Sequence, residues 1–344
     1  MAFKQLRPSS PALRNMSIVP SSCSRVLPLT AQRRNYTPQG MPLDFNRLQK
    51  DVRPLSPLSR SASTVDVPLK AQQKSEKVFS FPSSTLFRAW SKDEGLAQVP
   101  LYRQSLYEHG VAKIQCEFGG DIEQKSALLL DIVNALGKAD THSATEGALW
   151  DIKNKPEGVI SQGTGQKAIA ISHTLDEFSW HIDGSFEEKP TRFFAFHIIH
   201  PDRQGGGVFR LLPVSDIVNS LPADVTEILA TKDFNIKVPP EFFKGAHTLR
   251  KPLLERPPNG PALIRYRKGV CTADENDAEA QRAIRVLENL LQAEDAGFAV
   301  PAEHFREDTL LLLDNRRFLH SRTSIRDPNR WLRRVRFHAD SAAA

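Results

Sequence analysis

Many short apolar runs and few helical ones predict a mainly β protein, a sandwich or barrel with helices packed outside. Three observations carry this prediction. Strand-like segments recur along the chain, at Ala168–Ile171, Phe193–Ile199, Asn235–Val238, Leu263–Tyr266, Thr309–Leu313 and Trp331–Phe337. Only two long segments carry a clear helical period. The strands do not alternate with helices, which argues against an alternating α/β fold.

In chain order, Gly110–Phe118 alternates apolar and polar residues as a half-buried strand does. Residues Ile122–Leu136 read as a helix stopped by Gly137. A second helix places Ala280, Ala283, Ile284, Leu287, Leu290 and Leu291 on one face, with Asn276 and Glu279 as a capping pair and Gly297 beyond its end. No internal repeat is visible.

The chain has 344 residues, 40% of them hydrophobic, enough for one large core plus extensions. Its formal charge of +6 is localised. Residues 1–43 contain Lys4, Arg7, Arg14, Arg25, Arg33 and Arg34 and no acid. Removing those six from the 46 Lys and Arg leaves 40, equal to the 40 Asp and Glu. The basic balance therefore belongs to the leader, and the rest carries no electrostatic footprint for nucleic acid.

A leader rich in Arg and Ser and lacking acids and a continuous apolar core fits a mitochondrial transit peptide over residues 1–36. An ordinary disordered tail is the alternative, since Pro8, Pro11 and Pro20 interrupt any amphipathic helix. A protein without a functional leader would be cytoplasmic. Residues 37–77, rich in Pro, Ser, Arg, Lys and Gln, read as a disordered linker, and the folded domain is expected over 78–340. No run approaches the roughly 20 apolar residues needed to span a bilayer. The scattered Cys23, Cys116 and Cys271 indicate neither a disulfide framework nor a cysteine metal site.

The chemistry concentrates in two stretches, Ser179–Phe186 and Leu311–His320. On an extended segment His181 and Asp183 would share one face. His320, following the apolar run Thr309–Leu313, completes a candidate two-histidine, one-carboxylate set, the arrangement that suits non-haem Fe(II).

The segment Asp314-Asn315-Arg316-Arg317-Phe318-Leu319-His320, followed by Arg330-Trp331-Leu332-Arg333-Arg334, resembles the TauD/TfdA-like, clavaminate synthase-like Fe(II)/2-oxoglutarate-dependent dioxygenases over roughly Gly110 to Phe337. That resemblance implies a double-stranded β-helix, or jelly-roll, core. It implies His181, Asp183 and His320 as both catalytic and metal ligands, and Arg334 as the clamp for the distal carboxylate of 2-oxoglutarate. A planar guanidinium can hold a carboxylate bidentately. Strand alternation puts Arg334 and Arg333 on opposite faces, so only one can enter the cavity. Val208 stands after Gly205-Gly206-Gly207, where the family pattern has a cosubstrate-binding threonine. A valine there lacks one hydrogen bond, worth about 1.5–3 kcal/mol to a charged acceptor.

Other residues invite weaker readings. His197 and His200 are expected at core or rim, Trp180 and Phe186 as substrate wall or sheet packing. The stretch Pro239–Pro261, with Phe242, Phe243, His247, Arg250 and Lys251, is long enough for a lid. The implied activity is oxidation of a small-molecule substrate with Fe(II), 2-oxoglutarate and O2, releasing succinate and CO2. Two alternatives share the residues: a zinc-dependent hydrolase, in which Arg334 has no purpose, and a weak or inactive 2-oxoglutarate sensor, suggested by Val208.

Overall fold

The computed structural model describes residues 76–141, 147–160, 167–242 and 247–339. The expected leader, most of the linker, Cys23, Phe243 and Asp340 lie outside these residues. Eleven strands build two facing sheets: β1 (Leu86–Ala89), β2 (Val111–Cys116), β3 (Gly137–Asp140), β4 (Trp150–Lys153), β5 (Phe178–His181), β6 (Phe193–His200), β7 (Phe209–Pro213), β8 (Phe298–Ala299), β9 (Thr309–Asp314), β10 (Phe318–Arg322) and β11 (Trp331–Ala339). The larger sheet runs β1-β2-β9-β6-β11-β3, with β4 also on β11. The smaller runs β8-β7-β10-β5. This is the expected mainly β architecture, a jelly-roll core with flanking helices.

Side-chain alternation explains the layers. Leu311 and Leu313 on β9, Phe194, Phe196 and Ile198 on β6, and Leu332 on β11 pack between the sheets against Phe209, Leu211 and Phe318 of the smaller one. Leu310, Leu312, Ala195, Val335 and Phe337 point the other way, onto helices α1 (Lys92–Ala97), α2 (Val99–His109) and α3 (Ile122–Leu136). The outer face of the smaller sheet, including Trp180, Leu212 and Leu319, packs against α4 (Val214–Ser220), α5 (Ala223–Thr231) and α6 (Ala278–Gln292). Both faces of β9 are covered, so Leu310–Leu313 can be apolar throughout.

Several expectations are corrected. The strand expected to be half-buried, β2, is buried at all six positions because α1–α3 cover its outer side. Ala168–Ile171 is not one strand: Lys167–Ala168 pairs briefly and Ile171–His173 is a 3-10 turn. Leu263–Tyr266 shortens to Leu263–Ile264. The cap of α6 is Asp277, not Asn276: Asp277 Oδ1 accepts from the Ala280 N–H at 3.0 Å. The stretch expected to be a lid is partly sheet, with Thr248–Lys251 pairing Phe234–Lys237 and Leu254–Glu255 pairing Leu263–Ile264, while Phe242 reaches the cavity.

Candidate active site

His181 ends β5 and Asp183 follows in a turn, so the pair lies at a strand end and not along one strand. His320 sits on neighbouring β10, directly opposite His181. The three side chains are buried and offer one ligand atom each, all within 4.8 Å of one another. His181 Nε2 and His320 Nε2 lie 4.0 and 3.9 Å from Asp183 Oδ1.

The backbone presets this geometry. His181 Nδ1 lies 2.8 Å from the Ser179 carbonyl, a contact in which Nδ1–H donates and the Nε2 lone pair faces the cavity. Phe178 stacks on the same imidazole, ring centres 3.6 Å apart. Gly184 turns the chain at φ = 64°, and a Cβ there would sit 3.0 Å from Arg336 Nη1.

Asn315, fully buried, holds Asp183 by its main chain. Its Oδ1 accepts from the Asp183 N–H at 2.8 Å, and its Nδ2 donates to the carbonyls of Asp183 and Thr191 at 2.9 and 2.8 Å. Sequence reasoning used Asn315 only as part of a motif; the signal for its role was an amide in a turn between two apolar strands.

Burial alone would raise the Asp183 carboxyl, but the Arg334 guanidinium and the facing imidazoles hold it well below the usual carboxylate range. Burial, then the nearby His320, pushes His181 well below its ordinary value. A neutral imidazole with an outward lone pair beside an ionised carboxylate is the donor set a divalent cation needs. The residues fit Fe(II).

Arg334 comes into this cavity from β11. Its Nη1 reaches both Asp183 oxygens, at 2.6 and 2.7 Å. Arg333, one residue away, leaves by the opposite face: Nε donates to Asp151 at 2.8 Å and Nη1 to Glu123 at 2.7 Å. Val208 does not line the cavity. Its N–H donates to Thr323 Oγ1 at 3.0 Å and its carbonyl accepts from the Thr323 N–H at 3.1 Å, while Phe209 supplies the wall.

Two small spaces meet at His181, Asp183 and Arg334. One, about 40 Å³ to a water-sized sphere, is walled by Ile152, Phe196, Phe209 and Leu332 and includes Arg322 and Arg330. The other, about 30 Å³, is walled by Phe178, Phe186 and Phe242, the last two stacked at 4.8 Å. Phe186 is therefore a wall residue. Trp180 packs on the outer face of the smaller sheet. His197 faces α3, its Nδ1 2.9 Å from Ser126 Oγ, and His200 stands at the rim near Trp331. Arg322 and Arg330 were missed, because nothing in an arginine-rich tail marks which side chains turn inward.

A search of curated protein sequences finds no match. Solved structures of similar fold include asparagine oxygenase in complex with Fe(II), 2S,3S-3-hydroxyasparagine and succinate, at 16% identity and TM-score 0.56 over 72% of this chain and 83% of that one. The non-heme iron oxygenase OrfP with Fe and alpha-ketoglutaric acid aligns at 17% identity and TM-score 0.54, over 72% and 84%. The family model "Taurine catabolism dioxygenase TauD, TfdA family" matches residues 86–336, nearly all of the described domain and every candidate ligand. The chain belongs to the TauD/TfdA family, the Fe(II)- and 2-oxoglutarate-dependent dioxygenases.

Proposed function

We propose that this dioxygenase oxidises a C–H bond of a small organic substrate in the cavity at the ends of β5 and β10, with His181, Asp183 and His320 as the iron ligands and Arg334 as the 2-oxoglutarate clamp. The observation that carries the reading is the buried convergence of two imidazoles, one carboxylate and one guanidinium on a single cavity. Bound Fe(II) and 2-oxoglutarate supply the O2-dependent oxidation, with succinate and CO2 leaving.

The chain's own residues bind, orient and keep water out. Ser179 and Asn315 fix the faces that His181 and Asp183 present. Arg334, now shared between both Asp183 oxygens, can keep one and turn its remaining donors to a cosubstrate carboxylate. Phe178, Phe186 and Phe242 form a dry wall against which an apolar part of the substrate can rest.

The test is 2-oxoglutarate decarboxylation by the full chain with Fe(II), measured with and without a metabolite library that includes free amino acids such as those held by the structural relatives. Succinate should form, faster with the true substrate; its absence under all conditions would support the sensor alternative. We place the protein in mitochondria on the leader's composition. Residues 1–36 fused to a fluorescent protein should direct it there, and a cytosolic signal would reject that location.

A further inference from the structure

The outer face of the smaller sheet holds a cleft of about 410 Å³ beside the last turns of α6, back to back with the iron cavity. Its floor comes from the strands that carry two of the candidate ligands. His320 pairs with His181 and Arg322 with Phe178, so Ser179 and Trp180 of β5 lie opposite Ser321 alone. That bulge turns Phe178 and His181 to the cavity and leaves Ser179 and Trp180 on the outer side. Ser321 faces outward too, beside Arg210, its partner on β7.

This floor is polar and unsatisfied. Ser321 is only 7% exposed, and among the described residues neither its hydroxyl nor that of Ser179 has a hydrogen-bond partner. Buried hydroxyls are ordinarily paired, so two left open side by side in a cleft mark a place for a ligand's polar group.

The walls supply its charge. Glu177, Glu288 and Glu294 line the cleft together with Arg210 and Lys268. Arg210 is already taken: its Nε lies 3.5 Å from Glu76, and its Nη2 donates to the Ala296 carbonyl at 2.9 Å. Three carboxylates therefore stand against Lys268. Glu288 accepts only from the Tyr266 hydroxyl, at 3.4 Å, and Glu177 and Glu294 have no ion pair among the described residues. Glu177 lies on the strand side and the other two on the helix side, with Leu291 and Ala293 offering carbon surface. A ligand matched to this lining has an ammonium at each end of a short aliphatic chain, its N–H groups shared between carboxylates and the open hydroxyls.

We propose that the cleft is a second ligand site, which takes a small aliphatic diamine, and that its occupation tightens iron on the other side of the sheet. The link is short. His181 Nδ1–H donates to the Ser179 carbonyl at 2.8 Å, and Ser321 directly follows His320. Tyr266, whose side chain lines the cleft, accepts at its carbonyl from the N–H of Ile182, between His181 and Asp183, at 2.9 Å. A diamine held by Ser179, Ser321 and Glu288 steadies the backbone that aims both imidazoles, and by linkage iron tightens the diamine by the same factor. The amine site stands on its own lining; the coupling rests on His181, Asp183 and His320 holding iron, as described above.

The probe is butane-1,4-diamine, with butane-1,4-diol as its neutral counterpart, titrated by calorimetry at constant ionic strength into the full chain, anaerobically, with and without Fe(II). The diamine should bind and the diol should not. Glu288→Gln, which keeps an acceptor for Tyr266, should weaken the diamine at least about tenfold, because a hydrogen bond to a charged group is lost. Ser321→Ala should weaken it less, and Lys268→Met should tighten it about two- to fivefold, since a like charge is removed. Saturating diamine should tighten Fe(II) about fivefold or more, and Glu288→Gln should abolish that gain. Equal binding of the diol, or undiminished diamine binding in Glu288→Gln, overturns the site. Diamine binding that leaves iron affinity unchanged overturns the coupling. A chain that binds the diamine but takes up no iron rejects the iron reading, and the coupling with it, while the amine site stands.

Discussion

Asp183 is held from three directions: Asn315 grips its main chain, Arg334 its carboxylate, and two imidazoles face it. Removing any candidate ligand should abolish iron-dependent turnover, but the costs to the fold differ. Asp183→Ala takes from buried Arg334 the carboxylate that its Nη1 reaches at both oxygens and should destabilise the metal-free protein by up to about 3–5 kcal/mol. His320→Ala strands no charge and should cost less; comparable urea midpoints for the two variants would contradict the pairing. Asn315→Ala removes three buried hydrogen bonds and should weaken iron binding while all three ligands remain, as metal titration can show. The His-x-Asp spacing and the distal histidine were legible because strand alternation and a long apolar run confine them. The role of Asn315 was not, since it depends on which way a side chain turns in a loop. Val208 was legible only as a motif position. With its side chain outside the cavity wall, Val208→Thr should leave the KM for 2-oxoglutarate within about threefold, below the tenfold that ~1.4 kcal/mol of new hydrogen bonding would give.

At the scale of single elements, β11 shows how alternation divides labour. Arg334 enters the cavity while Arg333 crosses to Asp151, Glu123 and Ser126 on the helix side. Arg334→Ala should raise the KM for 2-oxoglutarate by one to several orders of magnitude, and Arg334→Lys less. Arg333→Ala should lower stability with that KM unchanged; the opposite pattern would put the other face of the strand in the pocket. The neighbouring β6 carries His197 to the same helix side, where burial lowers its pKa to about 4 against the field of Asp308. The sign follows from that depression. Below its ordinary 6.5 the unfolded chain takes up a proton that the folded one refuses, so stability falls as pH drops from about 6.5 to about 4. His197→Gln should flatten this part of the curve of urea midpoint against pH. Helix α3 and strands β6, β9 and β11 were legible because their periodic or continuously apolar runs are long. The two-residue strand at Leu254–Glu255 was not, and the one at Leu263–Ile264 was read two residues too long, as neither is long enough to carry a period.

At the scale of the whole domain, the segment from Lys77 to Phe81 is part of the covering of the sheets. Residues around Val78 pair with β8: the Phe79 N–H donates to the Ala299 carbonyl at 2.8 Å, and the Ala299 N–H donates to the Lys77 carbonyl at 2.8 Å. Phe79 and Phe81 then lie against the core between the sheets, Phe79 with its ring 6.0 Å from that of Phe318 on β10, two residues before His320. A chain beginning at Glu76 keeps all of these contacts, and its unfolding temperature and iron and 2-oxoglutarate affinities should match those of the full chain. A chain beginning at Ser83 loses both hydrogen bonds and two aromatic side chains, roughly 2–4 kcal/mol of partial burial. In a domain of this size that is about 5–10 °C in unfolding temperature. Because the loss falls on β8 and β10, it should weaken iron binding as well, through looser placement of His320. Differential scanning calorimetry of the two truncations decides the matter: equal unfolding temperatures would mean that the segment from Lys77 to Phe81 covers the sheets without supporting them.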